Sequence, residues 1–439
     1  MTGYSETGTG SLAVANRGGS PVDNERQHPF CSIDFRGGGL SALLGSGGEA
    51  FLDGTNCGFP VSKKTGGRGL RSPFARKEGN SIRRIKRLLK VGIAVLGVAA
   101  VAGFTYEQVG RSLERKKLPA QIGRSIEIDG RTLNIFCSGE GSPTVIFESG
   151  GNDPGYDWVL VQPKVAGVTR ACWYDRAGVG WSDPPAVPRT SATIAKDLHD
   201  LLRGVGVPPP YVLVGQSIGG EYIRVFTAKY PSEVAGVVLV DSSHPDQQEP
   251  PPMKGLASRL PTLVREAVCL ARPAIVRFGI VRWISSRSRQ FGPPQMSAAQ
   301  QRVFALLRSR PAADATGFVQ VCQGTRGGAD LPDRGTGNPE VDDAARASGN
   351  LGDRPLVVLT AGQYGKPSDP VTAREIAAFH AIWVNQLQAD LTRLSTRGRQ
   401  IVVENSGHGI QVEAPDAVAK AVNEVVSDVR RDAGRSSYR

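Results

Sequence analysis

Ser217 sits in the stretch Tyr211-Val-Leu-Val-Gly-Gln-Ser-Ile-Gly-Gly220: an apolar run, then Gly215-x-Ser217-x-Gly219, then a helical pattern through Tyr222, Val225 and Phe226. A serine at a sharp strand-to-helix turn has its hydroxyl lifted clear of the sheet, with a helix N-terminus aimed at whatever it attacks. The chemistry this suits is acyl transfer through a covalent ester. A serine hydroxyl is a poor nucleophile until a base removes its proton. The chain has five histidines, at 28, 199, 244, 380 and 408. His28 is in an N-terminal tail, and His199 and His380 lie on amphipathic helical patterns, where a solvated or packed ring is the ordinary case. His244 follows a strand and is expected to border the site. His408, in Val403-Glu-Asn-Ser-Gly-His-Gly-Ile410, comes just after an apolar strand and just before a helix.

These residues need a scaffold. From about residue 121 short apolar runs alternate with amphipathic segments, which predicts a mostly parallel central sheet covered by helices. Strands are expected near 124–128, 132–137, 143–149, 170–175, 211–216, 235–241, 355–361 and 400–404, with helices near 191–204, 218–230, 374–395 and 414–430. The stretch 245–350 breaks the rhythm. It opens on Pro250-Pro251-Pro252 and carries helical patches punctuated by Pro and Gly, so it reads as a helical cap inserted after a sheet strand. The catalytic domain spans 120–432 with that insertion.

The chain has 439 residues, 40% of them apolar, and a net charge of +12. Much of the positive charge flanks one apolar stretch or dots the tail, a pattern that favours an anionic membrane surface over nucleic acid. Residues 1–80 are rich in Gly, Ser, Arg and Asn without helical or strand period, and are expected to be a disordered tail. Val91–Tyr106 carries no charge. At about 1.5 Å per residue a helix there covers roughly 24 Å, and Leu88 and Leu89 extend it, so 88–106 is expected to be a transmembrane anchor. Arg83, Arg84, Lys86, Arg87 and Lys90 precede it. Arg111, Arg115, Lys116 and Lys117 follow it, partly offset by Glu107 and Glu114; the mild bias that remains is expected to place the N-terminus in the cytoplasm and the catalytic domain outside it. A cleaved signal sequence is the alternative. The six cysteines show no metal-ligand spacing. Cys137 and Cys172 fall in strands and read as small buried apolar side chains. Cys269 and Cys322 both fall in the cap, where an exported protein could pair them.

At its serine turn the chain resembles the α/β-hydrolase superfamily, over roughly 120–430. Val145-Ile-Phe-Glu-Ser-Gly-Gly-Asn152 is similar to the family's oxyanion loop, with Ser149-Gly150 where His-Gly is common. The resemblance implies Gly151 and Ile218 backbone N–H groups as oxyanion donors. Tyr174-Asp-Arg-Ala-Gly-Val-Gly-Trp-Ser-Asp183 resembles the family's D-x-x-G-x-G-x-S loop, with Asp175 and Arg176 expected to hold it structurally. His408 stands where the family presents its catalytic histidine. The orienting acid has two candidates: Asp369, beyond the penultimate strand but far along its loop, and Asp241, at the tip of the strand beside the nucleophile's. Placement favours Asp241. A serine nucleophile leaves carboxylic esters and related acyl bonds as substrates. An acyltransferase and a non-catalytic binding module are the alternatives on this fold. No nucleotide or metal signature is present, and no cofactor is expected.

Overall fold

The computed structural model describes residues 74–248, 262–287, 292–324, 339–365, 367 and 369–436, all within a unit bounded by Pro73–Arg439. Helix α1 runs Phe74–Lys117. Long apolar and basic side chains favour helix throughout, and Pro119 ends it, because the residue before a proline is pushed out of helical geometry. Its apolar stretch lies within Ile82–Glu114, which is long enough to cross a membrane and whose most apolar part is not buried against the rest of the chain. The helix therefore reaches beyond the expected 88–106 at both ends. The expected tail is shortened too: residues 74–80 are helical, and 1–73 lie outside the described residues.

Among the described residues one sheet contains β1 (Arg124–Ile128), β2 (Arg131–Ser138), β3 (Thr144–Glu148), β4 (Ala171–Tyr174), β5 (Tyr211–Gln216), β6 (Val234–Val240), β7 (Leu356–Ala361) and β8 (Gly398–Val403). The strand order is β1-β2-β4-β3-β5-β6-β7-β8. The β1–β2 and β2–β4 pairs are antiparallel and the rest parallel. The central strands read as unbroken apolar runs because both faces are covered. On one face Val145, Phe147, Val212, Val214, Val238 and Leu359 pack with Trp158 and with Val418, Val422 and Val425. On the other, Ile146, Leu213, Leu239 and Val358 pack with Leu198, Leu201, Ile223 and Phe226. Helices outside the cap follow the strands in chain order. They are α2 (Gln162–Ala166), α3 (Ser191–Gly204) and α4 (Ile218–Lys229); then, beyond the cap and β7, α11 (Pro370–Ile382), α12 (Gln388–Thr392), α13 (Ile410–Glu413) and α14 (Pro415–Ser436). Of these, α3, α4 and α14 supply the side chains just named, with Trp158 from a turn of 3-10 helix at Gly155–Trp158.

The insertion between β6 and β7 holds α5 (Thr262–Leu270), α6 (Arg272–Arg277), α7 (Ile280–Ser285), α8 (Ala298–Arg308), α9 (Pro311–Gly324) and α10 (Pro339–Ala347). The triple proline that opens it lies outside the described residues. A disulfide joins Cys269 on α5 to Cys322 on α9. A second joins Cys137 to Cys172, which corrects the expectation of two separate buried thiols. The reason is register: the antiparallel β2–β4 ladder sets these two residues directly opposite each other.

Glu221, in the first turn of α4, is fully buried with neither carboxylate oxygen bonded to any partner among the described residues. Burial, reinforced by Asp342, raises its pKa to about 8. A carboxyl raised in the folded state stabilises the fold fully below its ordinary pKa, and that contribution disappears as pH rises through about 8. Wild-type stability should therefore fall between about pH 5 and 9. Glu221→Gln should flatten that fall, gaining about 2–4 kcal/mol at pH 9 and little at pH 5, as read from denaturant midpoints at the two pH values.

Candidate active site

Ser217 occupies the turn between β5 and α4 with φ of 53° and ψ of −131°, a positive-φ conformation rarely adopted by non-glycine residues. The turn holds because its neighbours are small. A Cβ on Gly219 would come within 2.6 Å of the Ser149 carbonyl oxygen, and one on Gly215 within 2.7 Å of the Gly219 carbonyl oxygen. The Ser217 N–H donates to the Val240 carbonyl and the Ser243 N–H donates to the Ser217 carbonyl, tying the turn to the end of β6. Ile218 is the first residue of α4, so its N–H has no acceptor within the helix.

The end of β6 carries Asp241, fully buried and also at positive φ, 40°. Its Oδ1 accepts from the Ala361 N–H at 2.9 Å and from Trp383 Nε1–H at 2.8 Å. Its Oδ2 lies 2.6 Å from His408 Nδ1. With the proton on Nδ1 directed at that carboxylate, His408 Nε2 carries a lone pair, and the Gln216 amide lies 3.3 Å from it. Gln216 also donates to the His408 carbonyl at 3.2 Å. Ser217, His408, Gln216 and Gly151 line one cavity of about 650 Å³, together with Asp153, Asp157, Gln411, and Phe304 and Arg308 from α8 of the cap.

The structure thus brings Ser217, His408, Asp241, Gly151 and Ile218 to one place. It sets Asp369 elsewhere: that side chain is exposed and caps α11, accepting from the Thr372 N–H at 2.8 Å, which holds its carboxyl below the ordinary value. An aspartate followed by Pro370 opens a helix, and that explains its presence there. His244 is buried with Nε2 3.3 Å from Asp390 and is not among the residues lining the cavity; burial lowers its pKa. His199 stacks on Tyr230 and His380 meets the Ala361 carbonyl. His28 lies outside the described residues.

The loop after β3 is braced from behind. Buried Arg176 pairs with buried Glu148, which also accepts from the Tyr174 hydroxyl. The same guanidinium donates to the carbonyls of Ser149, Gly150 and Gly151. Arg176 therefore shapes the loop that contains Gly151 rather than only its own. Asp175 does the work expected for its own loop, accepting from the N–H groups of Trp181 at 2.9 Å and Gly155 at 2.7 Å. Arg176→Ala should destabilise the fold by about 3–5 kcal/mol, because Glu148 would be left as a buried carboxylate without its cation. Adding Glu148→Gln should recover part of that loss, and urea melts of the two variants would measure it.

Sequence reasoning missed the cavity's acids. Asp153 pairs with Arg308 of the cap. Asp157 accepts from Gln411 at 2.5 Å, and burial together with Asp153 raises its pKa to about 7. Gln216 was legible as the residue between the motif's glycine and serine, but its contact with His408 was not.

A family model described as the alpha/beta hydrolase fold matches residues 143–270, which include the serine turn and the Gly151 loop. The chain thus has the α/β-hydrolase fold. An uncharacterised Bacillus subtilis protein, YbdG, is 27% identical over 167 residues, covering 37% of this chain and 51% of that protein. A vacuolar membrane protein of Saccharomyces cerevisiae is 38% identical over 106 residues, covering 23% of this chain and 16% of that protein. The chain thus spans about half or less of the length of these curated relatives. Among solved structures, a loop variant of a haloalkane dehalogenase from Bradyrhizobium elkanii superposes with a TM-score of 0.50 at 18% identity, covering 71% of this chain and 98% of that one. This likeness concerns the fold.

Proposed function

We propose that the chain is a membrane-anchored serine hydrolase that cleaves a carboxylic ester or a related acyl bond. The observation that carries this reading is the 2.6 Å contact between His408 Nδ1 and buried Asp241 on the cavity that Ser217 lines. In the proposed cycle His408 Nε2 takes the Ser217 proton as Oγ attacks the substrate carbonyl. The oxyanion is met by the N–H groups of Gly151 and Ile218. The C–O bond to the alcohol then breaks, and His408 returns the proton to the departing oxygen. Water, deprotonated by the same nitrogen, attacks the acyl-Ser217 ester and releases the acid. Asp241 holds the imidazole in orientation and stabilises its protonated form.

The anchor in this reading is α1, with the basic run before it on the cytoplasmic side and the domain outside. The two disulfides, Cys137–Cys172 and Cys269–Cys322, support that side, since such bonds persist in oxidising compartments. The substrate is a small acyl compound and no nucleic-acid partner is invoked. The test is hydrolysis of p-nitrophenyl esters of graded acyl length by the full chain in lipid nanodiscs, with fluorophosphonate labelling mapped by peptide sequencing. Turnover with the label on Ser217 is expected. A folded protein that neither turns over any ester nor takes the label would be a binding module instead. Acyl transfer to an added alcohol exceeding hydrolysis would replace hydrolase by acyltransferase.

A further inference from the structure

The cap is fastened to the end of the anchor. Gly103 of α1 meets the segment between α6 and α7 so closely that a Cβ there would lie 2.7 Å from the Phe278 carbonyl oxygen. One turn further along, Arg282 of α7 is buried with Nε 2.9 Å from Glu107 and Nη1 2.9 Å from Glu114. Arg310 at the start of α9 also reaches Glu114, at 3.0 Å. These contacts occur where the apolar stretch of α1 ends, at the depth of a bilayer's headgroups if α1 spans it.

Large apolar side chains are exposed on this same part of the cap. Leu263 and Leu270, seven residues apart on α5, are 79% and 85% exposed. Ile280, Trp283 and Ile284 share one face of α7, with Trp283 54% exposed. On α1, Val98 and Val101, in the two turns before Gly103, are exposed as well. It is also basic: residues 262–287 contain five arginines and a single acid, Glu266. Arg282 is committed to Glu107 and Glu114, but the Arg287 guanidinium lies 3.6 Å from the centre of the Trp283 ring and Arg277 sits over Phe104 of α1. Tryptophan with arginine beside aliphatic side chains is the composition of a bilayer interface.

We propose that α5–α7 lie on an anionic bilayer beside α1, with Leu263, Leu270, Ile280, Trp283 and Ile284 entering the acyl boundary and Arg277 and Arg287 meeting lipid phosphates. This rests on the reading of α1 as a membrane span. The consequence is functional: the same cap supplies Phe304 and Arg308 to the wall of the Ser217 cavity, so lipid contact reaches the site through one inserted segment.

The test places the full chain in nanodiscs of phosphatidylcholine with or without phosphatidylglycerol, the acyl chains brominated near the headgroup. Tryptophan emission is compared between wild type and Trp283→Phe, and a bimane on Val98→Cys reports α1 separately. Trp158, Trp173 and Trp383 are buried and Trp181 is partly buried; Trp283→Phe keeps all four, so the difference between the two proteins isolates the signal from Trp283. Bromolipid should quench wild type at least twofold more than Trp283→Phe, and more strongly with phosphatidylglycerol present. Equal quenching of the two proteins with the Val98 probe quenched would overturn the cap proposal while leaving the anchor standing. An unquenched Val98 probe would remove the anchor and the proposal together. Shielding of Trp283 from both bromolipid and aqueous iodide would assign the face to protein and overturn the proposal, and quenching indifferent to phosphatidylglycerol would overturn the anionic assignment.

Discussion

If Ser217 is the nucleophile as proposed, Ser217→Ala should lower kcat/KM for p-nitrophenyl esters by at least about 10³-fold and abolish fluorophosphonate labelling, without a matching loss of stability. The kinetic size follows from the role: without Oγ no acyl-enzyme forms, and only the oxyanion donors and substrate binding remain to help water. The stability expectation follows from the structure. The Ser217 side chain makes no capping hydrogen bond to α4. The turn is held by backbone bonds, from the Ser217 N–H to Val240 and from the Ser243 N–H to the Ser217 carbonyl, and alanine keeps both. A denaturation midpoint within about 0.5 kcal/mol of wild type is expected, so activity and folding can be read apart. Residual ester turnover close to wild type would mean that another group attacks the carbonyl.

The residues that could be read from the sequence are those whose neighbours in the chain are also their neighbours in space. The serine turn is one: Val212-Leu-Val214 is buried on both faces, the glycines at 215 and 219 are needed for backbone approach, and the helix follows at once. The strands were legible for the same reason, since a central parallel strand is apolar along its whole length. What escaped were relations across the sheet. Cys137 and Cys172 are 35 residues apart in sequence, and their bond depends on the antiparallel register of β2 with β4, which alternation within either strand does not reveal. Arg176 was assigned to its own loop, yet its guanidinium extends to carbonyls more than 24 residues away at Ser149, Gly150 and Gly151. Asp153 and Asp157 carry no motif in the sequence; Arg308 of α8 and Gln411, both distant in the chain, close on them only in the folded protein. Between Asp241 and Asp369 chain order permits either and placement favours Asp241; the contact of His408 Nδ1 with Asp241 lies across the sheet and is not written in either segment.

That choice carries the second large expected effect. Asp241→Asn should cost about 10²–10⁴-fold in kcat, while Asp369→Asn should stay within about twofold of wild type. The difference lies in donors and acceptors. Oδ1 of Asp241 already accepts from the Ala361 N–H and from Trp383 Nε1–H, both of which are fixed donors. An asparagine at 241 must therefore turn its carbonyl oxygen toward them and its NH₂ toward His408. Facing a donor, His408 Nδ1 can only accept, so the ring's proton moves to Nε2. The lone pair that would take the Ser217 proton is then gone, although every heavy atom can remain in place. At Asp369 the change merely replaces one N-cap acceptor with another, since an asparagine oxygen can still accept from the Thr372 N–H. Measuring kcat for the two variants over pH 6–9 separates these cases. A large loss in Asp369→Asn with Asp241→Asn unaffected would mean that the loop after β7 rearranges to bring Asp369 to His408 during turnover.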